Sequence, residues 1–172
     1  MIYNLEKENS EILFKETVPF SFENPPIDPK ELEANLLETM YEHSGIGLSA
    51  NQCGLPHKVF AIGDPTKKEG ECIFNPILVN VGEEAHYFTE GCLSYPNLFV
   101  KIKRPSVVRL RFTNSSGDID TMKYGGLTAR VILHEFEHLM GAPYYNKANT
   151  IHLERAMKRR EKLNRNDRND KN

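Results

Sequence analysis

The chain has 172 residues, a length that favours one domain with at most a small appendage. Its composition, 39% hydrophobic and 27% charged, and the lack of any apolar run near the roughly 20 residues of a membrane helix exclude membrane-spanning, collagenous and wholly disordered classes. The formal net charge of -2 excludes a protein that binds nucleic acid through its overall charge.

The first twenty residues and the cysteines set the expected compartment. Residues 1–20 start acidic, with Glu6 and Glu8, and lack an apolar stretch ending in small residues, so a cytoplasmic protein without a secretory signal is predicted. Cys53, Cys72 and Cys92 are too few for a disulfide framework. In a reducing compartment a special cysteine is therefore expected to be a metal ligand or a nucleophile.

The first predicted element is an N-terminal helix of about 14 residues. Asp28 is suited to the N-cap, Pro29 to the first helical position, and Glu31 completes a capping-box spacing. Ser44 and Gly45 mark the end of the helix. Its apolar residues repeat at helical spacing and predict a face that packs on the core: Leu32, Leu36, Leu37, Met40 and Tyr41.

A set of strands is predicted after residue 58. The sequence there changes to short β-branched and aromatic runs separated by Gly, Pro, Asn and Lys. These runs are residues 59–62, 72–79, 85–89, 99–102 and 107–112. Residues 114–118 predict a hairpin turn into a further strand at 119–122.

Helical spacing returns at Gly126 and predicts a second helix that ends near Gly141. Apolar residues cover so much of its circumference that the helix is predicted to be buried. For Arg130, a solvated charge on the polar stripe of this helix is favoured over direct contact with a substrate. Residues 151–172 carry eight Lys or Arg against four Asp or Glu. This basic tail is predicted to be helical to about Leu163 and frayed from 164 to 172.

The strongest single motif is His134-Glu135-Phe136-Glu137-His138 inside the second helix. Residues four apart lie one turn apart on the same helix face, so the two imidazoles can converge on one metal ion. Glu135 lies beside them and can take a proton from water activated by that ion. Taken alone, the pattern also fits two histidines on an amphipathic helix.

Two further segments each allow a functional and a plain structural interpretation. In residues 90–94, the thiolate of Cys92 completes a His2Cys ligand set with one open position, or else Cys92 is a buried, inert thiol. In residues 45–52, glycines let the backbone approach a ligand while Gln52 donates to an oxygen that gains charge. The alternative for that segment is a glycine C-cap followed by a loop.

Together the three segments resemble the peptide deformylase family. Its motifs G-x-G-L-[small]-A-x-Q, E-G-C-[LIVM]-S and H-E-x-x-H-L-x-G match residues 45–52, 90–94 and 134–141, in the family's order and at similar separations. The likeness of layout extends over about residues 10–155. We predict an α+β fold in which antiparallel strands surround a buried central metal-binding helix, with an N-terminal helix and a C-terminal basic helical tail.

The resemblance implies an enzyme that removes the N-terminal formyl group from the formyl-methionine of newly made polypeptides. It implies Glu135 as the general acid/base, and Gln52 and the backbone N–H of Leu93 as donors to the oxyanion. Glu90 and Arg104 match a family ion pair behind the metal loop. The implied metal ligands are Cys92, His134 and His138, and the implied substrate-binding residues are Gly45, Ile46, Gly47, Phe88, Leu127 and Val131.

The implied cofactor is one divalent metal ion. A ligand set that includes a thiolate accepts Zn(II), Fe(II), Ni(II) or Co(II), and the family commonly works with Fe(II), which we take as the native ion. The implied partner is an N-formyl-Met nascent peptide, with no membrane and with the protein as a monomer. Residues 1–150 are predicted to form the catalytic domain, and the basic segment 151–172 either contacts the ribosome or is a solvated helix end.

Three positions depart from the family pattern without replacing a ligand. Leu133 stands where the family usually has Gln, and this change could alter the support of the metal site. Glu137 replaces a usual Asp, and Ser49 replaces a commoner Ala.

Two other functions remain open at this point. An ordinary zinc peptidase would cut internal peptide bonds, but it explains neither Cys92 nor Gln52. A non-enzymatic ribosome- or RNA-binding protein is suggested by the basic tail and by Leu133.

Overall fold

The polypeptide forms three α-helices and seven strands within residues 1–169, the part of the chain that the computed structural model describes. The helices are α1 (Pro29–Glu42), α2 (Gly126–Leu139) and α3 (Thr150–Asn169). The strands are β1 (Gly47–Ser49), β2 (Val59–Asp64), β3 (Glu69–Val81), β4 (Ala85–Cys92), β5 (Tyr95–Pro105), β6 (Val107–Thr113) and β7 (Ile119–Gly125). Short 3-10 turns lie at Glu11–Phe14, Ala50–Cys53 and Tyr144–Lys147.

The strands pair antiparallel in two sheets. The larger sheet has the order β1-β2-β3-β6-β7, and β4 pairs with β5 in a two-stranded sheet. The six strands predicted between residues 59 and 122 are all present, and each is longer than predicted. Strand β3 is the longest because its first half pairs with β2 and its second half with β6.

The glycine-containing segment after α1 forms a short strand and a 3-10 turn, which the spacing of its residues did not predict. Gly47–Ser49 is strand β1, which pairs with β2, and Ala50–Cys53 follows at once as a 3-10 turn. This places Gln52 on a hydrogen-bonded turn next to a sheet edge. The loop alternative for residues 45–52 is therefore wrong.

Helix α1 begins and ends where the sequence predicts. The Asp28 carboxylate accepts hydrogen bonds from the backbone N–H groups of Lys30 and Glu31, and Pro29 occupies the first turn. Its fully buried side chains each stabilise the fold by about 1.5–3 kcal/mol through removal of apolar surface from water. They are Leu32, Leu36 and Met40, which pack against β1, β2 and β3.

Helix α2 is buried on most of its surface. Its apolar side chains pack against Phe60, Ile73, Val108 and Leu110 of the larger sheet. Leu133, at the position where a polar residue was expected to support the site, lies in this same apolar cluster. The other side of α2 faces β4 and β5, and this packing brings its histidines to the two-stranded sheet.

Helix α3 lies against β5 and continues past its predicted end. It runs from Thr150 to Asn169 rather than stopping near Leu163, while residues 170–172 of the tail that we expected to be frayed lie outside the described residues. Ala156 is buried in a cluster with Leu98, Val100 and Tyr144. No helix in residues 1–169 is both long enough and apolar enough to cross a membrane.

Candidate active site

Three side chains capable of holding a metal converge where β4 meets α2. Cys92 ends β4, and His134 and His138 lie one turn apart on α2, with their ligand atoms all within 4.8 Å of one another. The Cys92 sulfur lies 3.1 Å from His138 Nε2. Both histidines are buried. A thiolate and two imidazoles are a donor set for Zn, Fe, Co or Ni, so these residues fit one divalent ion.

The carboxylate of Glu90 orients His134. Glu90 is buried, and its Oε2 lies 3.1 Å from His134 Nδ1, while Arg104 donates to both of its oxygens at 2.6 and 2.9 Å. Burial would raise the pKa of Glu90, but hydrogen bonds from His134 and Arg104 outweigh it and lower the pKa to about 2. Because an ionised carboxylate only accepts, the proton of His134 is on Nδ1 and Nε2 is left for a metal.

The surroundings of His134 favour positive charge. Burial alone would lower its pKa, but hydrogen bonds to Cys92 and Glu90 outweigh it and raise the pKa of His134 to about 10. A cation bound at this position would meet the same anionic groups. This electrostatic preference is a second reason why the Cys92, His134 and His138 cluster fits a metal ion.

The predicted ion pair between Glu90 and Arg104 is part of a larger network of hydrogen bonds. Arg104 bridges Glu90 and Glu137. The two carboxylate oxygens of Glu137 accept hydrogen bonds from Nη1 and Nη2 of Arg104 at 2.8 and 2.9 Å. Glu137 thus links β5 to the face of α2 that carries the histidines. From the sequence, Glu137 was identified only as a departure from the family's usual Asp, and its contact with Arg104 was not predicted.

The expectation that Arg130 is a solvated charge is wrong. Arg130 is 7% exposed and donates to Glu90 Oε1 at 2.5 Å. Two backbone carbonyls, those of Ile102 and His86, accept its remaining hydrogen bonds at 3.1 and 2.7 Å. The polar side of α2 is covered by β4 and β5, so a charge there is buried and is compensated by hydrogen bonds.

Glu135 is a buried carboxyl group beside the histidines. It is 4% exposed, and burial is the main cause that raises its pKa to about 7. Its Oε2 is buried and has no hydrogen-bond partner among the residues that the structure describes. A carboxyl group with a pKa near neutral can both accept and return a proton, as acid/base catalysis requires.

Strand β1 passes directly over Glu135. A Cβ added at Gly47 would lie 2.5 Å from Glu135 Oε1 and 2.6 Å from a methyl carbon of Val131. Glycine is therefore needed at this position for the close approach of β1 to α2, whatever the backbone conformation.

Gln52 is held by a capping box with Ser49. Its Oε1 accepts from both the backbone N–H and the hydroxyl of Ser49 at 2.9 Å. This orientation turns Nε2 toward Cys92 Sγ, at 3.4 Å, and Ser94 Oγ, at 3.1 Å. The hydroxyl of Ser49, which the family's commoner Ala lacks, is thus a partner of Gln52.

A cavity of about 300 Å³ opens over these groups. Of the predicted substrate-binding residues, five line it and Phe88 does not. The five are Gly45, Ile46, Gly47, Leu127 and Val131, and Leu93 lines it as well. Phe88 is 60% exposed and lies with its ring centroid 5.0 Å from the guanidinium carbon of Arg130.

Other residues that contact the site were not found from the sequence. Thr89 and Phe99 line the cavity, and Tyr144 stacks on His134 with ring centroids 4.8 Å apart. The Tyr144 hydroxyl donates to the carbonyl of Leu98 at 2.6 Å and so fixes the ring. Alternation along β5 could have indicated that Phe99 faces away from the buried Leu98 and Val100, but no signal marked Tyr144.

Comparisons with known proteins agree with the three motifs. The sequence profile of the polypeptide deformylase family matches residues 2–154. A peptide deformylase of Novosphingobium aromaticivorans is 31% identical over 156 residues, which cover 78% of this chain and 83% of that protein, and one of Afipia carboxidovorans is 34% identical over 134 residues, covering 76% and 78%. The crystal structure of peptide deformylase from Thermotoga maritima superposes with a TM-score of 0.80 at 28% identity, covering 87% of this chain and 99% of that one. The chain therefore belongs to the peptide deformylase family.

Proposed function

We propose that this enzyme, as a peptide deformylase, removes the N-terminal formyl group from nascent polypeptides at one divalent metal ion held by Cys92, His134 and His138. The observation that carries the proposal is that the buried Glu135 carboxyl group lines the same cavity as Cys92 and His134, two of these three side chains. When bound, the ion supplies Lewis-acid chemistry: it polarises a carbonyl oxygen and lowers the pKa of water from about 15.7 to about 7.

Glu135 moves the proton. Its pKa of about 7 lets the carboxylate accept a proton from the attacking water and later return it to the departing amine, which leaves formate and a free amino terminus. The unpartnered Oε2 is the atom we assign to this transfer. Because strand β1 and the metal ligands enclose Glu135, bulk water does not compete for the proton.

Gln52 and the backbone N–H of Leu93 donate to the formyl oxygen as it gains negative charge. The capping box with Ser49 fixes the Gln52 amide before substrate binds, so Nε2 need only exchange its contact with Cys92 Sγ or Ser94 Oγ for the formyl oxygen. Leu93 follows Cys92 directly and lines the same cavity. One such donor is typically worth about 3 kcal/mol of transition-state stabilisation.

The methionine side chain of the substrate enters the cavity between α2 and the two sheets. Ile46, Leu127 and Val131 give it an apolar wall. Gly45 and Gly47 let the substrate backbone approach β1 closely. We retain Phe88 only as a residue at the rim, since its ring lies outside the cavity lining.

Fe(II) is the proposed native ion, and Zn(II), Ni(II) and Co(II) are proposed as alternatives that the same thiolate and imidazole donors accept. Protein purified without oxygen and assayed for metal content tests this choice. Retention of Fe(II) with the highest turnover among the four ions supports it, and a higher turnover with Zn(II) contradicts it.

Helix α3 is proposed to guide the enzyme to its substrate at the ribosome, in the cytoplasm and as a monomer. The helix carries exposed basic residues, including Arg155, Lys158 and Arg159, while Arg160 is engaged by Glu8 and by the carbonyl of Pro96. A basic surface binds RNA through its phosphates, so ribosome binding should weaken as salt rises. The division into a catalytic domain, 1–150, and a basic C-terminal segment, 151–172, predicted as a helix with a frayed tail, belongs to this proposal.

The reaction is tested with formyl-Met-Ala-Ser and a longer unformylated peptide. Formate release from the first, with the second left intact, supports the proposed function. Cleavage of internal bonds without formate release would identify an ordinary zinc peptidase instead. RNA binding without turnover by fully metal-loaded protein would favour the non-enzymatic alternative.

A further inference from the structure

The metal-capable side chains come from two separate parts of the fold. Cys92 belongs to the β4–β5 sheet, whereas His134 and His138 belong to α2. A shift of the sheet relative to the helix would therefore change the distances between sulfur and imidazole nitrogens. Arg130, one turn before His134, is placed to prevent this shift.

Arg130 contacts both strands of the sheet. Nη2 donates to the carbonyl of His86 on β4, and Nη1 donates to the carbonyl of Ile102 on β5 and to the carboxylate of Glu90. These acceptors lie at 2.7, 3.1 and 2.5 Å, and the side chain is 9% exposed. Three hydrogen bonds from one side chain, two of them buried and the one to His86 partly buried, resist sliding of β4 and β5 along α2.

We propose that Arg130 is a positioning residue that clamps the β4–β5 sheet onto α2 and so fixes Cys92 relative to His134 and His138. The inference rests on the proposed metal site. Arg104 has a different role, because its contacts are to the carboxylates of Glu90 and Glu137. Arg130 also holds main-chain atoms, which set the position of the strand itself.

Only a guanidinium group satisfies all three acceptors. Its planar fork presents several N–H donors in fixed directions, whereas a lysine ammonium is a single point charge on a flexible stem. The Phe88 ring, 5.0 Å from the guanidinium carbon, covers the group from the solvent side. Replacement by lysine should therefore keep the charge near Glu90 and lose the hold on the backbone carbonyls.

The test uses the full chain loaded with Co(II), whose visible absorption reports ligand geometry and bonding to the thiolate. Wild type, Arg130→Met and Arg130→Lys are compared by their Co(II) spectra and by the rate at which a chelator removes Co(II). Arg111→Met, at an exposed position on β6, is the matched control. The unfolding free energy of each metal-free protein is measured separately, so that a general loss of stability is not mistaken for a change at the site.

We expect Arg130→Met to lose Co(II) about 10 to 100 times faster than wild type, with an altered thiolate band, because groups behind the ligands typically affect metal affinity by that factor. Arg130→Lys should restore only part of the difference, and Arg111→Met should match wild type. A wild-type spectrum and a loss rate within about twofold of wild type in Arg130→Met would overturn the proposal. If that variant does not fold, Arg130→Lys decides by the same two readouts.

Formate release by wild type is measured in parallel and decides the proposed function by itself. A wild type that binds Co(II) through Cys92 but releases no formate refutes the activity while the role of Arg130 is still decided by the spectra and loss rates. A wild type that shows no thiolate band with Co(II) overturns the metal site and the role of Arg130 together.

Discussion

Replacement of Gly47 by alanine should displace the Glu135 carboxylate while the protein still retains its metal ion. The added Cβ would lie 2.5 Å from Glu135 Oε1, whereas ordinary contacts begin at 3.4 Å, so the carboxylate and β1 must move apart by about 0.9 Å. A misplacement of about 1 Å at a reacting group costs on the order of 100-fold in rate. That factor corresponds to about 2.7 kcal/mol in the barrier.

The assay is formate release from formyl-Met-Ala-Ser by wild type and Gly47→Ala at equal metal content. We expect kcat to fall about 100-fold while metal retention is unchanged, because the three atoms nearest the new methyl group belong to Glu135 and Val131 and not to Cys92, His134 or His138. Gly125→Ala is the control, since its Cβ would come no closer than 3.9 Å to an atom outside its chain neighbours, the carbonyl oxygen of Ser106. A folded Gly47→Ala protein with kcat within about threefold of wild type would refute the reasoning.

Three further predictions follow from the contacts of the site. Gln52→Leu should lower kcat by about 100- to 1000-fold and keep the metal, because it removes one oxyanion donor and no ligand; metal loss on substitution would contradict this role. Removing the metal with a chelator should lower Tm, measured by calorimetry, by at least about 5 °C. An ion at about 100 times its Kd stabilises the folded protein by about 2.7 kcal/mol, and each kcal/mol corresponds to roughly 2–4 °C in Tm at this chain length. An unchanged Tm would argue against a buried metal site. Tyr144→Phe should lower the free energy of unfolding, measured by urea titration, by about 1–3 kcal/mol, because the buried carbonyl of Leu98 loses its hydrogen-bond donor. The kcat of this variant should change little. An unchanged free energy of unfolding would contradict this account.

The elements that local chemistry determines could be predicted from the sequence. The cap of α1 is an example, because the Asp28 carboxylate and Pro29 act on their immediate neighbours. The helical spacing of the two histidines likewise brings them to one face of α2 without help from the rest of the fold. Cys92 joined them in the prediction through the family's motif, because the spacing of residues does not show which strand end meets α2.

The parts that tertiary contacts decide could not be predicted. Arg130 lies on the polar side of α2, and a periodic pattern does not reveal that β4 and β5 cover that side. Tyr144 reaches His134 from a short turn beyond the helix, at a spacing with no known signature. The continuation of α3 past Leu163 is a similar case. Its polar sequence favours fraying, but α3 packs on β5, and Asn164, just beyond Leu163, accepts a hydrogen bond from Asn97 Nδ2 at 3.0 Å.

The measurement that tests the central claim most directly compares wild type with Glu135→Ala, prepared without oxygen and brought to equal metal content. Formate release from formyl-Met-Ala-Ser is followed for both, with Glu154→Ala on the exposed part of α3 as a control for the loss of a carboxylate. The account predicts turnover by wild type and by the control, and none by Glu135→Ala, which keeps its metal. Turnover by Glu135→Ala at the wild-type rate, or no turnover by metal-loaded wild type, would contradict it.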